Sequence, residues 1–103
     1  MSVMVKCMAK KEFCIMPPSD LYSIERYGDL HRHEIFFGGN RQKSIDYGLV
    51  VFLTPKMHNM SNAGVHFNRE FDLELKRLGQ QAAMDYYGWD IAQFRAVFGK
   101  NYL

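Results

Sequence analysis

Cysteine and proline are scarce in this chain of 103 residues: two of the first, Cys7 and Cys14, and three of the second. The amino terminus, MSVMVKCMAKKEF, carries lysines through its only mildly apolar run, so no secretory signal is visible. No apolar run approaches the length of a membrane span. These absences point to a reducing cytoplasm with free thiols or thiolate ligands, and they disfavour a Cys7–Cys14 disulfide. The formal charge excess is only +2, which permits nucleic-acid contact without announcing it. There is no internal repeat and no low-complexity segment.

What is present argues for a packed globule. Apolar residues make up 48% of the chain and aromatics 15%. The length fits a single domain over 1–103, small enough to need support from a metal, a partner or tight packing. Pro17-Pro18-Ser19-Asp20 is the clearest breaker, and residues 1–29 read as an arm or edge-strand region. "LHRHEIFF", Leu30 to Phe37, alternates as a strand over part of its length, with His31, His33 and Ile35 on one side and Arg32, Glu34 and Phe36 on the other. Gly38-Gly39-Asn40 turns the chain into a long polar connection, "GGNRQKSIDYG". Leu49 to Leu53, "LVVFL", is a continuous apolar run rich in β-formers and reads as a buried strand.

Thr54-Pro55 is a helix start: threonine caps free amides and proline suits the first helical position. That helix is short, because Asn62-Ala63-Gly64 breaks it. A longer helix is expected from Arg69 to Tyr87, capped by Asn68, with Glu70 and Asp72 near the positive end of its dipole. Phe71, Leu75, Leu78, Ala82 and Tyr86 fall at helical spacing for the core. Gly88 ends this helix. Asp90 caps a last one, with Ile91, Phe94 and Val97 inward and Gly99 as its stop.

This order brings histidines together. His33 on the first strand, His58 on the short helix and His66 just beyond can meet in one site, while His31 reads as a strand-surface residue on the His33 side. Imidazole is a common metal ligand near neutral pH, and two histidines with one more N or O donor suit a catalytic divalent ion. The plain alternative is that His58 lines a loop and His66 lies on the surface.

"RHEIFFGGNRQKSIDYGLVVFL", "HNMSNAGVHFNREFDLELKRLGQ" and the ending "FGKNYL" resemble small phage and prophage proteins of the HNH endonuclease superfamily. The resemblance covers about residues 30–103. It implies an α+β fold: a ββα-metal, HNH-like unit over 30–67, with additional C-terminal helices over 68–103. It implies one divalent ion (Zn, Mg, Mn or Ni), held by His33, His58 and His66, and water activated against a DNA phosphodiester. His33 and Glu34 fall at the strand positions of that chemistry. If His33 is the base, Arg32 stands at the neighbouring ligand position; if His33 is a ligand, Glu34 serves as base. Asn40, Arg41 and Lys43 are the expected nucleic-acid contacts.

The resemblance also exposes departures. Such proteins carry a structural zinc on two Cys-x-x-Cys or Cys-x-x-His pairs. Here the pairs fall at Cys14 and Pro17, and at Thr54 and Met57, leaving one thiol where a tetrahedral zinc needs four ligands. The middle asparagine falls at Gly48 or Leu49. Three function classes follow: a metal-dependent DNA endonuclease in a host cytoplasm, a lapsed HNH fold that binds a host defence nuclease as an anti-CRISPR-type inhibitor, or a DNA-binding accessory protein that packages or repairs phage DNA.

Overall fold

A computed structural model describes residues 13–60 and 68–103. Cys7 and His66 lie outside these residues. The described elements are strand β1 (His31–Glu34), a 3-10 turn (Gly38–Asn40), helix α1 (Arg41–Asp46), strand β2 (Val50–Leu53), a π-helical turn (Lys56–Met60), helix α2 (Arg69–Tyr87) and helix α3 (Ile91–Phe98). Among the described residues the architecture is α+β, with one two-stranded sheet and several helices. Among the described residues no helix is long and apolar enough to cross a membrane.

β1 and β2 pair antiparallel, with His31 opposite Leu53 and His33 opposite Val51. All four residues of β2 are buried, as the unbroken "LVVFL" run predicts. A strand covered on both faces still needs partners for both its edges. The segment before β1 supplies the second edge. Ser23 exchanges two backbone hydrogen bonds with Phe52, at 3.0 and 2.9 Å, and the Ile15 amide donates to Gly48 O at 2.9 Å. The Cys14 thiol donates to Val50 O at 3.1 Å. The arm expected over 1–29 thus runs, where it is described, beside the central strand.

The polar connection after β1 is more ordered than its composition suggests. It holds the 3-10 turn and α1, and Ser44 is fully buried inside it. The Ser44 hydroxyl donates to Leu49 O at 2.6 Å and accepts from the Phe36 amide at 3.1 Å. One side chain therefore ties the end of β1 to the start of β2. Serine is an indifferent helix former, so propensity hides this role.

α2 begins at Asn68, whose side chain accepts from the Phe71 amide, and stops at Gly88 in the left-handed region. Its buried stripe is Leu75, Gly79, Gln80 and Ala83. The stripe continues to Tyr87, whose hydroxyl donates to Tyr47 O at 2.8 Å. Tyr86, expected inward, is 60% exposed, because the stripe centres one residue away from it. At Gly79 the helix approaches Ile35 and Phe36 so closely that a Cβ would meet their side chains at 3.1–3.2 Å. α3 opens with a complete capping box between Asp90 and Gln93 and stops at Gly99. Phe94 and Phe98 face the core, while Ile91, expected inward, is 42% exposed at the first turn. Phe36 packs against Phe94, Phe98 and Tyr102 at ring-centroid distances of 5.5, 4.7 and 5.4 Å.

Gln80 fastens the carboxyl terminus to this core. Its amide donates to Asn101 Oδ1 at 2.8 Å and its carbonyl accepts from the Tyr102 amide at 2.7 Å. Gln80→Leu keeps the bulk but strands these partners, which costs about 1–3 kcal/mol. Thermal unfolding of the variant is expected roughly 5–20 °C lower. An unchanged midpoint removes Gln80 from this role.

Burial pushes the Cys14 thiol up from its ordinary value, against a smaller downward pull from the Met16 amide. The neutral thiol is the form the fold prefers. Its stabilisation is therefore fully present below the ordinary thiol pKa and is lost as pH rises through the raised value. The melting-temperature advantage of the wild type over Cys14→Ala should shrink as pH rises above the ordinary thiol value of about 8.5. A difference that stays constant as pH rises past that value contradicts a buried neutral thiol.

Candidate metal centre

The site is assembled by strand period and a tight return. Alternation along β1 places His31 and His33 on one face, with Arg32 and Glu34 on the other. Because His31 lies opposite Leu53, the last residue of β2, the chain leaves the sheet beside His31. Thr54 then turns it back. Its hydroxyl accepts from the Met57 amide at 3.2 Å, and its carbonyl accepts from the His58 amide at 2.9 Å. This is the cap expected of Thr54-Pro55, although the turn winds as a π helix.

The turn delivers His58 onto both strand histidines. The Nδ1 atoms of His31 and His58 are 3.4 Å apart, with the rings edge-on at 5.5 Å. The His33 and His58 rings lie 5.4 Å apart, and His33 also meets Phe37 at 5.6 Å. His33 is buried and His31 is exposed. The Nδ1 separation serves two states. One imidazole donates its proton to the other, or both lone pairs face a shared cation. Two nitrogens bound tetrahedrally to zinc at ordinary bond lengths stand about 3.3–3.4 Å apart, so the separation matches either state.

The donors stop short of a full set. Among the described residues, no group of three or more His, Cys, Asp or Glu side chains is arranged to hold a metal ion. His66, expected as a ligand, lies outside the described residues. His31, read from the sequence as a strand-surface residue, is exposed and also meets His58, Nδ1 to Nδ1 at 3.4 Å; its shared parity with His33 was the available signal.

Glu34 occupies a different environment. Its carboxylate takes Arg32 Nε at 2.7 Å on one oxygen and Arg41 Nε at 3.2 Å on the other. The glutamate side chain is only 13% exposed, so two guanidiniums enclose it. The other expected nucleic-acid contacts lead to α3. The Asn40 amide donates to Phe98 O at 2.9 Å, and the Lys43 ammonium donates to Val97 O at 2.8 Å. Both satisfy carbonyls that the end of a helix leaves open. The positions where structural-zinc ligands were sought are occupied by packing and capping: Cys14 bonds Val50, Thr54 caps the turn, and Met57 packs on the core.

No protein-family model, no curated protein and no solved structure matches this chain.

Proposed function

We propose that this chain is an HNH-type domain that binds one divalent ion and acts on DNA phosphodiesters in a host cytoplasm. One observation carries the reading: His58 returns from β2 to stand 3.4 Å, Nδ1 to Nδ1, from a histidine of β1. An antiparallel strand pair followed by a helical turn bearing a ligand is the arrangement that a ββα-metal unit requires. His31 and His58 are the ligands, and His66 is the expected third. A bound ion would supply charge stabilisation at the phosphate and at the leaving oxygen. With Glu34 enclosed by Arg32 and Arg41, His33 is the group left on the histidine face to accept a proton.

The same enclosure favours a second reading. A carboxylate held between two arginines and a base candidate packed against Phe37 suit a domain that keeps its metal for shape and has lost cleavage. Such a domain would act by binding protein, as an inhibitor of a host defence nuclease does.

Elemental analysis of the purified chain is expected to find one equivalent of metal, lost in His58→Ala and reduced in His31→Ala. Retention of the full equivalent by His58→Ala excludes the site. Supercoiled plasmid incubated with Mg²⁺, Mn²⁺, Ni²⁺ or Zn²⁺ is nicked under the first reading and by no ion under the second. His33→Ala should abolish nicking while leaving the metal bound.

A further inference from the structure

Charge is spread unevenly over this fold. The chain carries 13 lysines and arginines against 11 aspartates and glutamates. Five of the cations, Arg32, Arg41, Lys43, Arg95 and Lys100, gather where β1 and α1 meet the end of α3, together with two carboxylates, Glu34 and Asp46. The rest of the sequence holds eight cations against nine acids. Packing creates this gathering. Asn40 and Lys43 bond the Phe98 and Val97 carbonyls, Arg32 and Arg41 share Glu34, and Arg95 stands in the last turn of α3.

Folding accounts for only part of it. The end of a helix carries about half a negative charge, which Lys43 meets at α3. Glu34 takes Arg32 and Arg41, and Asp46 accepts from Gln42 at 2.9 Å. Set against two carboxylates and that half charge, five cations leave an excess of about two to three. Donors are left over as well. Arg41, 63% exposed, reaches Glu34 through Nε, which leaves its two amino groups for another anion, and Lys43 uses one of three protons. Arg95 and Lys100 are exposed and form no ion pair among the described residues. The bonds to Glu34 and Val97 hold Arg41 and Lys43 in place, which lowers the entropy lost when an anion binds.

We infer that this face holds the phosphate backbone of duplex DNA, through Arg41, Lys43, Arg95 and Lys100, without a metal ion. Cations carried on two separate helices and the segment after them suit an anion that repeats, and a duplex presents one charge per roughly 1.7 Å of its axis. A protein partner would need an apolar centre to the interface. None of the large apolar side chains exposed among the described residues lies on α1 or between Arg95 and Lys100. The inference takes DNA from the reading above, but it stands on charge alone and uses the face of β1 away from the histidines.

Fluorescence anisotropy of the full chain with a labelled DNA duplex, in EDTA, tests it. Arg95→Ala and Lys100→Ala remove exposed side chains that no fold contact described above requires. Each should weaken binding about eightfold at roughly 0.1 M salt and lower the salt slope by about one, the effect of a single lost phosphate contact. Arg77→Ala removes an exposed arginine of α2 that follows Glu70 and Glu74. It controls for general charge and should stay within about twofold of wild type. Polyglutamate at equal charge should displace the duplex poorly. Effects of Arg95→Ala and Lys100→Ala no larger than that of Arg77→Ala overturn the inference, as does a wild type that binds no duplex in EDTA. Displacement by polyglutamate as effective as by unlabelled duplex assigns the face to an acidic polypeptide and overturns it too. Plasmid left uncut with every ion, while Arg95→Ala and Lys100→Ala still weaken binding, removes the cleavage reading and supports the face. Nicking that persists with binding unchanged in both variants overturns the face alone.

Discussion

The pairing of β1 with a strand that is buried along its whole length is the constraint on which the rest depends. Val50 to Leu53 expose almost nothing, so their backbone groups need partners inside the protein. β1 supplies one edge and the segment around Cys14 to Ser23 supplies the other. This fixes the register, since a slip of one residue would turn His33 outward and Arg32 inward. The register in turn sets where β2 ends, and so where Thr54 begins the turn that carries His58. The histidine contact is thus a consequence of burying an apolar strand. The 3.4 Å approach between two imidazoles joins β1 to the turn that leaves β2, so it depends on the register of the pair.

Two buried polar side chains extend that constraint to the rest of the chain. Ser44 closes the connection between the strands, and Gln80 ties α2 to the carboxyl terminus. Each bonds backbone groups that would otherwise be buried without partners, so each fixes a path rather than adding apolar area. Asn40 and Lys43 act similarly at the end of α3, where open carbonyls need donors. The polar loop between the strands is consequently a structural element that joins the sheet to the last helix.

Much of this was legible in the sequence, because it rests on local signals. The continuous apolar run gave β2, alternation gave the shared face of His31 and His33, and Asn68, Gly88, Asp90 and Gly99 marked the helix ends. What escaped reading depends on contacts distant in sequence. α1 has no apolar stripe, since its anchors are a serine hydroxyl, an asparagine amide and a lysine ammonium. Gly79 and Gln80 occupy the centre of the α2 stripe, yet neither counts as apolar, and so Tyr86 was expected inward in place of Tyr87. The pairing of His31 with His58 needed the register, which alternation alone does not provide. The environment of Glu34 needed Arg41 to return from the next helix.

β1 therefore separates two kinds of chemistry across a single strand. On one face the imidazoles of His31 and His33 meet His58, with an open cleft beside them. On the other, the Glu34 carboxylate is neutralised between Arg32 and Arg41 at 2.7 and 3.2 Å. A bound cation on the histidine face would be repelled by those guanidiniums if they stood on the same side; the carboxylate between them offsets part of their charge. Ion pairs of this kind add little stability when exposed, about 0–1 kcal/mol, and their value here lies in position. By holding both arginines against Glu34, the pairs keep that charge on the face of β1 opposite the histidines.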